Sequence, residues 1–160
     1  MSIWGALAGG FAGTLVLTTV LRAASEAGQT RMDLPFLLGT AFTSDRSRAK
    51  ALGYVLHFLA GLIFALIYYA IFRAIGESGW WLGAVFGLTH GIFSGTALVN
   101  ILLPLVHPRM GTGLTAAPNV ALLEPPGFLM RNYGAGTPIV TLAAHIDYGA
   151  VVGGFTSLAS

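Results

Sequence analysis

Residues 51–106 read ALGYVLHFLAGLIFALIYYAIFRAIGESGWWLGAVFGLTHGIFSGTALVNILLPLV. They contain two apolar runs, 51–75 and 80–106, with only GESG at residues 76–79 between them. A membrane-spanning helix needs about 20 mostly apolar residues, and each run is long enough. A connection of four residues predicts that the two helices are antiparallel neighbours in one membrane.

Two further apolar runs lie on either side of this central pair, at residues 3–24 and 136–159. The sequence therefore predicts an all-α membrane protein in which four transmembrane helices form a single domain over residues 1–160. No positively charged residue precedes the first run, and the run is too long for a cleavable signal peptide. We expect it to remain in the mature protein as the first span.

The composition agrees with a membrane protein and excludes other classes. Apolar residues make up 55% of the chain and charged residues 9%, whereas soluble domains average about 25% charged residues. These proportions exclude a soluble enzyme and a disordered chain. A net charge of +2 is not that of a nucleic-acid-binding domain. Because the chain has no cysteine, disulfides, thiolate metal sites and a cysteine nucleophile are excluded as well.

The basic residues predict how the helices are oriented, because lysine and arginine are enriched in cytoplasmic loops. Seven of the eight basic residues lie at or in the first and third connections, and only Arg73 lies near the second. We therefore expect a multi-pass protein of the plasma membrane with both termini on the outer side. The first and third connections, residues 25–50 and 107–135, are long and rather apolar. They are expected to form interfacial or re-entrant segments on the cytoplasmic face.

An internal repeat relates the two halves of the chain. Glycine recurs at every fourth residue in the first and third spans, and HxxxG occurs in the second span at residues 57–61 and in the fourth at residues 145–149. This pattern predicts two parallel-repeat hairpins, as found both in simple bundles and in small transporters. Small residues spaced by four let two helices approach closely, so we expect the first and third spans to cross each other. The packing glycines are Gly5, Gly9, Gly13, Gly83, Gly87, Gly91 and Gly95.

Ionisable groups inside a span are candidates for function because they are costly to bury. Three histidines qualify, His57, His90 and His145. The matched pair His57 and His145 could be axial ligands to a haem or could bind a chlorin, with His90 nearby. As neutral imidazoles, the two could instead hold helices together through a hydrogen bond to an asparagine, a threonine or a carbonyl. A simple metal site is less favoured, since no carboxylate shares the histidine face.

Other polar side chains are expected near the histidines, in a layer within the cytoplasmic half of the bundle. Thr18, Asn100 and Asp147 belong to this predicted layer. Asp147 is the one charged residue inside the apolar runs, whereas the other 13 of the 14 charges lie at span ends or in connections. It could be protonated, paired with a histidine of another helix, or part of a proton path. Because Asp147 is two residues from His145, we expect it on nearly the opposite side of the helix.

A second cluster of polar residues is predicted on the cytoplasmic face. It could bind a lipid headgroup or a small anion, or its side chains could simply extend to the membrane surface. Its members are His107, Arg109, Glu124 and Arg131, which Asp33 could join. No nucleophile elbow, phosphate-binding glycine loop or zinc-protease helix occurs in the sequence. No catalytic residue is therefore predicted, and we do not expect an enzyme.

Several short motifs resemble those of a known group of proteins. They are MDLP at residues 32–35, HxxxG at 57–61 and 145–149, HPRM at 107–110, and EPPGF at 124–128. Together they resemble small, four-span bacterial inner-membrane proteins of the YagU type, and the resemblance covers most of the chain. It implies a bacterial plasma membrane and a four-helix architecture. It implies no activity, cofactor or catalytic residue.

Three functions are open on the sequence alone. The first is a non-catalytic membrane protein that acts as an accessory or assembly subunit of a larger complex, with the lipid bilayer and other membrane subunits as its partners. The second is a haem- or chlorin-binding protein that uses His57 and His145. The third is a small transporter or proton-conducting module that uses Asp147.

Overall fold

The computed structural model describes residues 1–110 and 121–158, and the regular structure in this part of the chain is helical. Four helices are long and apolar enough to span a membrane, which confirms the prediction of four long apolar helices. The elements, in chain order, are α1 (Ile3–Glu26), α2 (Leu34–Gly39), α3 (Arg46–Ile75), α4 (Trp80–Phe93), a π-helical segment (Ser94–Leu102), α5 (Leu103–Val106), a 3₁₀ segment (Phe128–Tyr133) and α6 (Thr137–Leu158). The third span consists of α4, the π-helical segment and α5 in sequence.

The helix ends follow from local capping groups. Ser2 caps α1, because its side chain accepts hydrogen bonds from the backbone N–H groups of Trp4 and Gly5. Asp45 caps α3 in the same way and accepts from the N–H of Arg48. α3 therefore begins five residues before the apolar run at residue 51. At its other end, Gly76 adopts a left-handed conformation with φ of 80°, which ends the helix.

The bundle is built around α6, against which both α1 and α4 pack. A Cβ on Gly9 of α1 would lie 2.9 Å from the Cβ of Phe155, and a Cβ on Gly83 of α4 would overlap the carbonyl oxygen of Gly149. The expected crossing of the first and third spans was therefore wrong, because both glycine stripes face α6. On one side of α6, the small residues Gly149 and Gly153 let α4 approach closely.

α3 and α4 are joined by the short turn, yet their backbones are separated by a layer of aromatic rings. The rings of Tyr68 and Phe86 lie 5.8 Å apart between centroids, those of Phe72 and Phe86 lie 5.6 Å apart, and those of Phe64 and His90 lie 3.9 Å apart. Large side chains thus hold these helices further apart than the glycines hold α4 and α6. The space left within the layer is where the candidate site lies.

The two long connections lie at one end of the bundle, which we call the loop end. The turn at residues 76–79 lies at the opposite end, which we call the turn end. α2 packs closely on the start of α3, because a Cβ on Gly53 would overlap the Pro35 carbonyl. Of the predicted interfacial connection at residues 107–135, residues 111–120 lie outside the described part of the chain. Its later portion folds back under the bundle, so that Met130 is 1% exposed. Phe128 remains 73% exposed.

Candidate functional site

The structure brings together the three histidines that the sequence singled out. His57 of α3, His90 of α4 and His145 of α6 line one internal cavity of about 90 Å³. Thr14 of α1 and Tyr148 of α6 also face it. The site is therefore built from all four spans, and no single helix could form it.

His145 is buried and fixed by its own helix. Its Nδ1 lies 2.8 Å from the carbonyl oxygen of Thr141, one turn earlier. A carbonyl can only accept, so Nδ1 carries the proton and donates it. The His145 ring meets the ring of His90 edge-on, with centroids 4.9 Å apart and an interplanar angle of 81°.

His90 lies between aromatic side chains of α3. It stacks on Phe64, and its Nδ1 lies 3.3 Å from the hydroxyl oxygen of Tyr68. Tyr68 is only 4% exposed, so its hydroxyl lies inside the bundle. A second tyrosine, Tyr148, donates a 2.5 Å hydrogen bond to the Gly61 carbonyl across the α6–α3 interface. The two tyrosines close the cavity toward the turn end.

His57 has a fully buried ring nitrogen, Nε2, that lacks a hydrogen-bond partner among the described residues. The residue as a whole is 7% exposed. The hydroxyl of Thr141, on α6, is buried without a partner in the same way. Leaving a buried donor or acceptor unpaired costs about 1–3 kcal/mol, so native proteins rarely do so without another use for the group.

A second opening reaches His57 from the loop end. It is a groove of about 190 Å³ that shares His57 and Leu34 with the cavity. The groove is lined by two ion pairs, in which Arg22 Nε lies 2.9 Å from Glu26 and Lys50 Nζ lies 3.1 Å from Asp33. The charged groove and the histidine cavity therefore meet at the His57 ring. The remaining polar residues that line the groove are Thr18, Ser25 and Tyr54.

The predicted polar layer assembles only in part around the histidines. Thr18 lines the groove together with His57, and its hydroxyl donates to the Thr14 carbonyl. Asn100 is exposed and donates to carbonyls of its own π-helical segment and, over 3.0 Å, to the carbonyl of Gly127. Asp147 is exposed on the outside of α6. The placement of Asn100 and Asp147 in the layer was wrong, because a shared depth along the spans does not fix which way each helix face turns.

Sequence analysis missed Thr14 and Tyr148 as members of the site. Thr14 lies four residues after Gly10, on the same face of α1, so it reaches α3 where Gly10 does. Tyr148 lies three residues after His145, close to it on one face of α6. Both could have been found by taking the neighbours of the packing glycines and of the histidines at helical spacing.

The predicted cluster on the loop side divides into two separate sets. In the first, His107 Nε2 donates to the Leu37 carbonyl over 2.9 Å, and its Nδ1 accepts from the N–H of Arg109. Burial lowers the pKa of His107, with a smaller contribution from the nearby Arg109 guanidinium. The Arg109 guanidinium donates to the Thr40 carbonyl at the end of α2. These two residues therefore fasten α2 to the third span.

The second set joins the two long connections to each other. Arg31 forms a two-point ion pair with Glu124, with distances of 3.1 and 3.2 Å. The Tyr133 hydroxyl donates to the backbone carbonyl of Glu124, and burial together with the Glu124 carboxylate raises the pKa of Tyr133 to about 12. Asp33 instead caps α2 and pairs with Lys50. The exposed Arg131 follows Met130 in the 3₁₀ segment. The predicted cluster is thus divided: Asp33 and Glu124 line one pocket of about 170 Å³, whereas His107, Arg109 and Arg131 are not among its lining residues.

The volume of the cavity limits which of the cofactors predicted from the sequence it can hold. Pockets for drug-sized ligands usually have volumes of roughly 300–1,000 Å³. A cavity of about 90 Å³ cannot hold a tetrapyrrole unless the helices move apart. Among the described residues, no group of three or more histidine, aspartate or glutamate side chains is arranged to hold a metal ion.

Asp147 has surroundings that the other ionisable groups do not share. It is the eleventh of the 22 residues of α6, and so lies near mid-membrane if α6 spans the bilayer. It is exposed, and no hydrogen bond or ion pair from the described residues reaches its carboxylate. Around it lie the small residues Ala143, Ala150 and Gly154, all exposed or half-buried.

No protein-family model, curated protein or solved structure matches the chain, so its function has to be inferred from this geometry.

Proposed function

We propose that this chain is a non-catalytic, multi-pass membrane protein that serves as an accessory or assembly subunit of a larger membrane complex. It binds another membrane-spanning helix on the outward face of α6. The observation that carries the proposal is Asp147, an exposed carboxylate halfway along an apolar span.

A charged side chain at the centre of a span costs about 2.5–3.5 kcal/mol to insert, and such residues normally face the bundle interior or a water-filled cavity. Asp147 faces neither in the isolated chain, because the histidine cavity lies on the other side of α6. A partner helix that supplies a lysine, an arginine or a hydrogen-bond donor at the same depth would remove this cost. The acidic residue then becomes the specific contact of an interface.

The surface around Asp147 suits close contact with another helix. Ala143, Ala150 and Gly154 are small, and they lie within about one turn or two of Asp147 on the same face. A Cβ built on Gly154 would have its nearest neighbour, the Trp80 Cβ, 3.9 Å away, so this glycine is not needed for packing within the chain. In lipid, small residues promote helix association because they allow extensive van der Waals contact.

The proposed location is a bacterial plasma membrane, with the loop end in the cytoplasm and both termini on the outer side. Support comes from the concentration of basic residues in the two long connections. Trp80 and Trp81 begin α4 at the turn end and are 68% and 52% exposed, as is typical of rings at the headgroup level. The resemblance to proteins of the YagU type supports the same location.

The test is purification of the chain from its native membrane in a mild detergent, compared with Asp147→Leu. A matched control is Ile63→Ala, which changes a lipid-exposed position of α3 that is 51% exposed. We expect a second membrane protein to co-purify at fixed stoichiometry with the wild type and the control, and to be lost from Asp147→Leu. The variant should unfold in detergent no more easily than the wild type, because none of the described residues pairs with the Asp147 carboxylate. A chain that purifies alone, or a partner retained by Asp147→Leu, would contradict the proposal.

The other two functions expected from the sequence have less support. A haem or chlorin between His57 and His145 requires more room than the cavity provides. A transporter that uses Asp147 together with the histidines would need a path from one side of α6 to the other, because Asp147 is exposed and His145 is buried. Both remain predictions that absorption and flux measurements can test.

A further inference from the structure

The groove at the loop end lies between α1 and α3, away from the surface around Asp147. These helices are antiparallel, and small residues fix their register. A Cβ on Gly10 would lie 2.6 Å from the Cβ of Ala65, and a Cβ on Gly61 would overlap the Thr14 hydroxyl. Four residues along α1 are thus matched by four residues back along α3, a step of about 6 Å. This register gives the depth of each polar group that lines the groove.

The charged groups of the groove form two layers. In the inner layer, Arg22 comes level with Tyr54, which approaches its guanidinium. In the outer layer, one turn nearer the loop end, Glu26 comes level with Lys50, and Asp33 pairs with Lys50. The inner layer therefore carries one positive charge. The outer layer, with two carboxylates and one ammonium, carries a net negative charge.

The two layers lie at the boundary of the apolar part of the spans. The apolar run of α1 ends at residue 24 and that of α3 begins at residue 51, so the inner layer falls just inside the runs and the outer layer just outside them. Thr18 lines the groove further in. Beyond it lie Phe11 and Phe58, whose ring centroids are 5.2 Å apart, and Phe11 is 56% exposed. The surface thus changes from charged to apolar in the direction of mid-membrane.

The floor of the groove is apolar, whereas its charged rim has hydrogen-bonding groups to spare. Leu21 and Met32 line the groove and are 5% and 4% exposed. The ion pair at the rim uses the Arg22 Nε and one carboxylate oxygen of Glu26. A guanidinium has five N–H donors, so the terminal nitrogens of Arg22 can still bind a phosphate. The second oxygen of Glu26 can still accept from a cation.

We propose that the groove binds the headgroup of phosphatidylethanolamine, with the phosphate at Arg22 and the primary ammonium at Glu26. Arginine binds phosphate oxygens through paired N–H donors, and a carboxylate accepts strong hydrogen bonds from an ammonium. In a leaflet, the ammonium of this lipid lies further from mid-membrane than its phosphate does. The layers of the groove have the matching order, with the negative layer outermost, so both charges of the headgroup meet their opposites at once.

The volume of the groove suits a headgroup without its chains. It is about 190 Å³, below the roughly 300–1,000 Å³ of pockets that take drug-sized ligands. The acyl chains then lie outside, on the exposed apolar surface around Phe11 that follows the groove toward mid-membrane. The site does not depend on a partner at Asp147 or on which side of the membrane the loop end faces.

Two other phospholipids match the groove less well, which makes the proposal selective. Phosphatidylcholine has a quaternary ammonium without an N–H, so it cannot donate a hydrogen bond to Glu26. Phosphatidylglycerol has no cation, so its phosphate would bring a negative charge next to the negative outer layer. Phosphatidylethanolamine should therefore bind in preference to both.

The test is a titration of the purified, delipidated chain in detergent with each of the three lipids, followed by native mass spectrometry. We expect one phosphatidylethanolamine per chain, with a Kd at least about tenfold below those of the other two lipids, because a hydrogen bond between charged groups is worth about that factor or more. Equal Kd values for the three lipids would overturn the proposal. Displacement of the lipid by an equal concentration of water-soluble glycerophosphoethanolamine would also overturn it, since the site would then take a free headgroup.

The order of the charges is tested by exchanging them, in the double variant Arg22→Glu with Glu26→Arg. The exchange keeps the net charge and the i,i+4 ion pair, in the orientation that suits a helix better, but it places the negative charge innermost. We expect the preference for phosphatidylethanolamine to be lost. The matched control is Arg31→Glu with Glu124→Arg, an exchange within an exposed ion pair outside the groove, which should keep the preference. A preference retained by the first exchange, or lost in the control, would overturn the assignment of the headgroup to the groove.

Glu26→Gln is a second variant for the case that the exchange prevents folding. Glu26 is the last residue of α1 and its side chain is 68% exposed, so the bundle should be unaffected. The neutral amide attracts an ammonium much less, and phosphatidylethanolamine should then bind only about as tightly as phosphatidylcholine. An unchanged ratio of the two Kd values would show that Glu26 does not hold the ammonium.

Discussion

Gly149→Ala is expected to destabilise the bundle strongly although it adds a single carbon atom. A Cβ at this position would overlap the Gly83 carbonyl oxygen and would lie 2.8 Å from the Cα of Gly87. Both neighbours are backbone atoms, so no change of rotamer can relieve the overlap, and α4 and α6 must move apart. A gap of 0.5–1 Å already forfeits a quarter to a half of each van der Waals contact along an interface. Overpacking in a core costs about 1–3 kcal/mol, and we expect the upper part of that range.

The matched control is Gly154→Ala on the same helix. Its new Cβ would meet nothing closer than 3.9 Å, and alanine favours a helix over glycine by about 1 kcal/mol. Gly154→Ala should therefore be neutral or slightly stabilising. Unfolding of both variants is followed in a titration with a denaturing detergent, with helix content and monodispersity as readouts. Equal midpoints for the two variants would refute the assignment of Gly149 to the α4–α6 contact.

Three further predictions follow from the site and the connections. Because burial lowers the pKa of His107 in the folded chain, the unfolded chain takes up more protons as the pH falls below the ordinary histidine pKa of 6.5. The contribution of this residue to stability is therefore lost below that pH, and His107→Gln should weaken this pH dependence in unfolding titrations. Purified protein should show no Soret or chlorin band, since the cavity between His57 and His145 is too small, and a stoichiometric band would refute that reasoning. Glu124→Gln should change the free energy of unfolding by less than about 1 kcal/mol, because its ion pair with Arg31 is largely exposed.

The spans were predictable from the sequence because length and apolar character alone determine whether a helix can cross a membrane. Which of these helices pack against each other was not predictable. Glycines spaced by four indicate that a helix face can approach another helix, but they carry no information on which one. Gly9 and Gly83 lie in equivalent stripes, yet both stripes contact α6 rather than each other. Repeats in sequence therefore did not translate into symmetric contacts.

The features of the site that depend only on residue spacing along a helix were predictable from the sequence. The histidines were expected together and lie together, and His145 and Asp147 lie on opposite sides of α6 as their spacing requires. The orientation of each helix about its own axis depends on which of its faces is covered by neighbours. Asp147 is exposed because α1 and α4 cover the flanks of α6, and its histidine face closes the cavity. This arrangement of neighbours is a tertiary property that one sequence does not reveal.

α6 carries His145 on its inner face, toward the cavity, and Asp147 on its outer face. A partner at Asp147 could alter the cavity only by rotating or shifting α6. Backbone contacts on the α4 side and the close approach of Gly9 on the α1 side oppose such a movement. We therefore expect Asp147→Leu to leave the unfolding midpoint in a denaturing detergent unchanged, while it abolishes association with a partner. A lower midpoint would mean that Asp147 contributes to the packing of α6, and that the helix is less firmly held than its glycine contacts indicate.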